Sequence, residues 1–371
     1  MHSDNPITSI IVKLASRCNL KCTYCYWFMD PDVYEYPAKL TYDAEVAFLY
    51  RLKEHITEFK LKTFEIVFHG GEPMLFGKRR FIEMMEKLHK IMLDTNCLLQ
   101  YSMTTNGVLI DEDWAQIFKL YDIKCCISID GPKSIHDARR PDLRGNGSYE
   151  KTVRGIRCLQ AVGMEPGIIA VCDPTINPRL LLETFVDELN LLSFDILIPD
   201  ANHESKNNSI SKYYVNLINL WFDEYLARGV RIRILDGMIR GILELESGTQ
   251  SIGRGRVKTV VLNPDGSIEP LDVLRIAGHN ETKTKINVFN NSLQSIVDDP
   301  AWISAYYWSY QLSKKCLECP YMQACGGGDL AQRWSLTNGY DNPSVYCDDY
   351  ISIFSHLLEK MANYFRIESK S

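Results

Sequence analysis

The sequence predicts an α/β fold, a sheet of parallel strands, open or barrel-like, layered with helices. Three observations predict it. Short runs rich in β-branched and aromatic residues recur through the first 200 or so positions. Amphipathic segments alternate with them. The runs end in polar or glycine-rich tails, and sheets of this class keep their working residues at the carboxyl ends of the strands.

The runs are "SIIVKLA" (9–15), "FEIVFHG" (64–70), "LQYSMTTN" (99–106), "CCISIDG" (125–131), "GIIAVCD" (167–173) and "FDILIPD" (194–200). Most are apolar on both faces, as strands covered by helices on both sides must be. Segments 43–58, 79–93, 111–121 and 148–161 carry the helical spacing between them. The tails "HGGEP", "TTNG", "SIDGP", "CDP" and "PDANH" are expected to converge on one mouth. The loop after the first strand, "SRCNLKCTYCYW", belongs there too. A helical stretch follows at roughly 211–247. Near residue 251 glycine and turn signals take over, and "VKTVVLNPDGSIEPLD" reads as a β-hairpin with an Asp-Gly turn. The expected division is therefore a core domain at 1–250 and a smaller one at 251–371.

The bulk numbers narrow the function. The 371 residues are 24% charged and 46% hydrophobic, with a net charge of −6. An acidic chain without a basic run is poorly suited to a phosphate backbone, so no nucleic-acid partner is expected. The N-terminus lacks the regions of a signal peptide, and no apolar stretch reaches the ~20 residues of a membrane span. A cytoplasmic protein with no membrane partner is expected.

Seven of the twelve cysteines fall in two groups. Clustered cysteines in a reducing compartment read as metal or catalytic sites. Cys18, Cys22 and Cys25 are spaced C-x3-C-x2-C. Three thiolates on a 4Fe–4S cluster leave one iron open, and an open position means chemistry. Zinc and a redox C-x-x-C pair are the alternatives on spacing alone. Cys316, Cys319, Cys325 and Cys347 make a four-thiolate set, which suits a closed site of iron–sulfur or zinc. Cys97, Cys125, Cys126, Cys158 and Cys172 sit in apolar surroundings and read as small buried hydrophobes.

C-x3-C-x2-C with an aromatic after the last cysteine resembles the radical S-adenosylmethionine (SAM) superfamily. "HGGEP" (69–73), "TTNG" (104–107), "SIDG" (128–131) and "IHDARR" (135–140) resemble its peptide-modifying branch. The resemblance implies a partial (β/α)6 TIM-like barrel and a 4Fe–4S cluster on Cys18, Cys22 and Cys25 whose open iron is chelated by S-adenosyl-L-methionine. It further implies cofactor contacts from Gly70, Gly71, Glu72, Asn106, Ser128 and Arg140. The spacing C-x2-C-x5-C-gap-C resembles the C-terminal SPASM region of these maturases, a mainly irregular iron–sulfur domain that includes the hairpin. By that likeness Cys316, Cys319, Cys325 and Cys347 hold an auxiliary 4Fe–4S cluster. A second auxiliary cluster is not expected. Asp329 and Leu271 stand where its cysteines would be, and "SIGRGRVKTVVL" has none.

In relatives that oxidise a serine or cysteine side chain, an aspartate at the position of Asp272 is the general base, so Asp272 is the catalytic candidate. Arg275 is expected either to pair with it or to bind a substrate carboxylate. Asp200 and His203 are candidates for substrate contact or for capping. "DGSIEPLDVLRI", "CGGGDLAQRW" and "NGYDNPSVYC" resemble single-auxiliary-cluster maturases that build cyclophanes in ribosomally made peptides. The implied partners are a precursor peptide and a low-potential flavodoxin or ferredoxin. Other radical modifications are the alternatives: epimerisation with Cys172 as hydrogen donor, thioether or ether links, or formylglycine formation in sulfatases. A non-catalytic iron–sulfur electron carrier is the reading from a different class. The first strand begins near Ile10, so no N-terminal winged-helix domain for a leader peptide is expected.

Overall fold

The β-branched and aromatic runs become strands almost residue for residue. The computed structural model describes residues 5–205, 207–278 and 280–368. Its strands are β1 (Ser9–Ala15), β2 (Thr63–Gly70), β3 (Leu98–Thr105), β4 (Ile123–Ser128), β5 (Gly167–Val171), β6 (Ser193–Leu197), β7 (Arg231–Ile232), β8 (Thr259–Leu262) and β9 (Ile268–Glu269). Contacts divide the chain into two compact units, each discontinuous in sequence. One comprises residues up to 129, 136–167 and 258–306. The other comprises 130–135, 168–257 and the residues from 307 onward.

In the first unit the strands lie in the order β4-β3-β2-β1-β8-β9. All pairs but the last are parallel, with Ile10 opposite Ile66, Ile66 opposite Tyr101 and Tyr101 opposite Ile123. Helices Tyr42–Phe59, Lys78–Thr95, Glu112–Leu120 and Tyr149–Ala161 match the amphipathic segments. Their apolar stripes bury Phe48, Leu52, Phe81, Met84, Trp114, Phe118 and Leu159, each such side chain stabilising by about 1.5–3 kcal/mol. Polar caps start two of them. Thr41 accepts from the Ala44 amide at 3.2 Å and Asp111 from the Trp114 amide at 2.9 Å, each contributing about 1 kcal/mol.

The hairpin forms, and its turn is held where Asp265 accepts from the Ser267 amide at 3.0 Å. Its first strand does more than the pattern foretold. β8 pairs in parallel with β1, Ile10 opposite Val260. Residues 258–306 therefore pack with the N-terminal strands, and contacts divide the chain along different lines from a cut at residue 250. The physical reason is an unpaired β1 edge, which the apolar "TVVL" satisfies.

In the second unit β5, β6 and β7 are parallel neighbours, with Ile168 opposite Phe194 and Phe194 opposite Ile232. The helical stretch expected at 211–247 is broken. Helix Ser211–Leu220 runs into a π turn at Trp221–Tyr225. Gly229, with φ of 79°, then turns the chain into β7 and a second helix, Arg233–Ile242. A left-handed φ is open to glycine at little cost.

Candidate functional site

The loop leaving β1 is anchored by its backbone. The Lys21 amide donates to Pro141 O at 2.8 Å and the Thr23 amide to Arg139 O at 2.9 Å. This brings Cys18, Cys22 and Cys25 within electrostatic reach of one another. The Leu20 amide donates to Cys18 Sγ at 3.3 Å, Asn106 Nδ2 lies 3.7 Å from the same sulfur, and Arg140 Nη1 lies 4.0 Å from Cys22 Sγ. Burial pushes the Cys18 and Cys25 thiols up, and on Cys25 the Arg140 and Lys13 charges offset only part of that rise. A set of three half-buried thiols on one short loop fits an iron–sulfur cluster.

The glycine-rich tail of β2 folds against this loop. Gly70 has a φ of +145°, and a Cβ there would fall 2.1 Å from Ala15 O. Only glycine allows so close a backbone approach. The Gly71 amide donates to Ala15 O at 2.8 Å and the Glu72 amide to Arg17 O at 2.9 Å. Glu72 is fully buried. Its carboxylate accepts from Thr105 Oγ1 at 2.7 Å, the Asn106 amide at 2.9 Å and the Met74 amide at 3.0 Å. Its side chain buckles the tails of β2 and β3 together instead of facing open space. Asn106 and Arg140 are buried beside the thiols, and Ser128 ends β4 partly buried. His136 explains part of the "IHDARR" run. It meets Ser148 Oγ at 2.9 Å, and that hydroxyl donates to Arg140 O at 2.6 Å, fixing the backbone that carries the guanidinium.

Asp272 lies in a buried charge web that the sequence reading missed. Lys13 donates to it, as does Tyr26 Oη at 2.6 Å. Lys13 also reaches His69 Nδ1 at 3.1 Å, and the Gly70 amide donates to the same nitrogen at 2.8 Å. Two donors on Nδ1 require the proton of neutral His69 to sit on Nε2. Burial, then the Lys13 charge, pushes His69 down to about 3. Burial alone would raise the Asp272 carboxyl, but Lys13, His69 and the Tyr26 hydrogen bond outweigh it and hold Asp272 well below the usual carboxylate range. A signal was available: Lys13 is the one charged residue in the apolar run of β1.

Arg275 corrects an expectation. It neither pairs with Asp272 nor stands free for a substrate carboxylate. Its buried guanidinium grips Glu269 at 2.5 and 2.6 Å and Asp30 at 2.7 Å. Trp27 carries both buried cations on its ring, Lys13 Nζ and Arg275 Cζ each 4.6 Å from the centroid.

In the second unit Cys316, Cys319, Cys325 and Cys347 line one cavity of about 220 Å³. Pro320, Tyr321, Met322, Tyr350, Ile351 and Phe354 form its apolar wall, and Lys315 lines it beside Cys347. Behind the wall Gln332 Oε1 accepts from Tyr350 Oη at 2.9 Å and Ser344 Oγ at 3.0 Å. The three glycines after Cys325 all have positive φ. A Cβ on Gly326 would fall 1.7 Å from Gly253 O, so the backbone of the 251–256 loop lies directly on Gly326. Four thiols on one largely apolar cavity fit a closed cluster. Leu271 and Asp329, at the positions where cysteines are missing, are a buried apolar side chain and a carboxyl pushed up to about 6 by burial. His203 is exposed and ties its loop to Trp334 O at 3.1 Å and Pro343 O at 2.9 Å, while Asp200 is exposed at the end of the β6 tail. Cys172 is 2% exposed.

Fold and site together define an iron–sulfur enzyme of the parallel-barrel kind. Residues 12–186 match the Radical SAM superfamily, and the chain belongs to it. Over 96% of its length it is 26% identical to a cysteine-type anaerobic sulfatase-maturating enzyme of Clostridium perfringens, covering 98% of that protein. It is 23% identical to a serine-type anaerobic sulfatase-maturating enzyme of Bacteroides thetaiotaomicron, at 96% and 90% coverage. An uncharacterized protein of Methanocaldococcus jannaschii is 34% identical over 57% of this chain and 74% of its own. The structure of anSMEcpe with bound AdoMet and the Cp18Cys peptide superposes with a TM-score of 0.84 at 24% identity, covering 96% and 98% of the two chains. Streptococcus suis SuiB bound to precursor peptide SuiA gives 0.63 at 16%, covering 93% and 77%. The shared fold is a partial barrel of parallel strands. Membership implies a 4Fe–4S cluster and S-adenosylmethionine. No helix among the described residues is long and apolar enough to cross a membrane.

Proposed function

We propose that this radical SAM enzyme matures a ribosomally made precursor peptide by removing a hydrogen from a side-chain β-carbon and joining that carbon to a nearby aromatic ring, as in a cyclophane. The observation that carries the reading is the Asp272 web beside Leu271, where the cysteine of a further auxiliary cluster would stand. In this reading Cys18, Cys22 and Cys25 hold the cluster that leaves one iron open, and the Gly70–Gly71 backbone, Asn106, Ser128 and Arg140 hold the cofactor. Bound there, the cluster and S-adenosylmethionine supply a 5′-deoxyadenosyl radical able to abstract a hydrogen atom. Cys316, Cys319, Cys325 and Cys347 hold one auxiliary 4Fe–4S cluster.

Asp272 takes the proton. Lys13 and Tyr26 keep it ionised, which makes it a weak base. A weak base suffices for a strongly acidic proton, such as the one an aromatic ring carbon carries after a new bond has formed there and an electron has been lost. The bond costs the peptide one hydrogen atom, which the 5′-deoxyadenosyl radical would take, one proton, which Asp272 takes, and one electron, for which a bound 4Fe–4S cluster would be the acceptor. A flavodoxin or ferredoxin is the expected partner for reduction, and the enzyme is expected to work in the cytoplasm. Arg275 acts through Trp27 and Glu269, stiffening the wall that carries Asp272.

Formylglycine formation is the second reading, and the near full-length similarity to sulfatase-maturating enzymes favours it. High-resolution mass spectrometry of a coexpressed peptide from a short reading frame beside the gene separates the two. The crosslink removes two hydrogens, blocks fragmentation across a short window containing an aromatic, and leaves nothing for an aldehyde-reactive hydrazide. A hydrazide-reactive product would establish the sulfatase-type reaction. Unchanged mass with deuterium uptake from heavy water would overturn both in favour of epimerisation.

A further inference from the structure

Arg333 is an unusual residue to find at 0% exposure. A guanidinium has five N–H donors and a charge that cannot be shed. Its hydrogen bonds in this structure go to two neutral acceptors, Trp308 O and Gln311 O, the second at 3.1 Å. Nε has no partner at all. Among the described residues no carboxylate lies within ion-pair distance of it. The nearest acid to act on it is Asp329, whose own carboxylate accepts from the Ala331 amide at 2.9 Å. Burial pushes that acid up to about 6, so it is ionised near neutral pH, but it makes no hydrogen bond to the guanidinium. A buried cation whose only acid is held off in this way is incompletely compensated.

Further negative charge has a place on the other side of the guanidinium. Gly327 lines the four-cysteine cavity, and a Cβ on it would fall 3.3 Å from Arg333 Nη1. The guanidinium therefore stands directly behind the cavity wall. Cys316 and Cys325 both act on it electrostatically. A 4Fe–4S cluster bound by four thiolates carries net negative charge, and more of it once reduced.

We propose that Arg333 is the buried counter-charge of the cluster held by Cys316, Cys319, Cys325 and Cys347, and raises that cluster's reduction potential by favouring its more negative, reduced state. The inference rests on the auxiliary-cluster reading above. A fully buried positive charge at short range weighs on a redox equilibrium, because protein screens it less than water would. The two carbonyl bonds position the guanidinium; the charge does the tuning.

The test uses the full chain with Cys18, Cys22 and Cys25 changed to Ala, so that a single cluster remains, reconstituted anaerobically and titrated by EPR against a series of potentials. Arg333→Gln is expected to move the midpoint to more negative potential, and Arg333→Lys to hold it near the parent value. An Arg333→Gln midpoint equal to the parent's overturns the proposal, as does an Arg333→Lys midpoint displaced as far as that of Arg333→Gln. If Arg333→Gln fails to load while Arg333→Lys loads at the parent potential, the charge is required and the proposal stands. If both fail to load, the guanidinium shape and not its charge matters, and the proposal falls. A parent protein with no 4Fe–4S signal would instead remove the auxiliary-cluster reading, and this inference with it.

Discussion

The first unit and the second treat buried charge in opposite ways. Around Asp272 every buried cation has a carboxylate of the protein's own: Lys13 has Asp272, and Arg275 has Glu269 and Asp30. Around the four-cysteine cavity the buried cation, Arg333, has only carbonyls. A site complete in its own charges can be preorganised before anything binds. A site short of an anion is completed by its occupant. The contrast is what the two proposals above predict: a base preorganised at Asp272, and a negatively charged cluster on the four thiols.

That contrast can be broken or sharpened by experiment, and the largest effect is expected at the thiols. Replacing Cys18, Cys22 and Cys25 by Ala should abolish 5′-deoxyadenosine formation, measured by chromatography, while about four of about eight irons per chain remain. Cleavage that survived would move the radical-generating site elsewhere. Next comes the glycine-rich turn. Gly70→Ala forces a Cβ against Ala15 O and should cost roughly 3 kcal/mol or more in chemical denaturation, with loss of cofactor cleavage.

Asp272→Asn strands Lys13 in the interior and should cost about 3–5 kcal/mol. Lys13→Met in the same chain should recover much of that, without restoring product. A double-mutant cycle reports the coupling directly. Additive losses would mean that the two residues are not a pair.

At neutral pH the smallest effect is that of His69, and it emerges as a pH dependence. His69 is held neutral, with a folded value of about 3 against about 6.5 when unfolded. Between those limits the unfolded chain binds more protons than the folded one. Stability from this residue is thus fully present above about pH 6.5, and falls away as the pH drops toward 3. His69→Gln should flatten denaturation midpoints across that window. An unchanged slope would place the acid sensitivity in other groups.

Much of this was legible before any fold was seen. The strands, four of the helices and the hairpin lay open in the sequence because they follow local rules: residue shape, period and turn chemistry. Other features were not legible. The parallel pairing of β8 with β1 joins residues some 250 positions apart. The break after Tyr225 depends on one glycine inside an otherwise helical pattern. Arg275 was named for its charge, and only its neighbours show that the charge is already committed.

The sequence by itself determined the parallel α/β class, the two cysteine groups and the glycine-rich turn between strand and helix. Those signals are covalent spacing and local stereochemistry, which no distant contact can alter. Only the tertiary structure decided which charges meet. It paired Lys13 with Asp272, turned Glu72 inward as a buckle, and left Arg333 without a carboxylate behind the four thiols. Electrostatic partnership depends on distance and burial, and both are set when remote segments pack together.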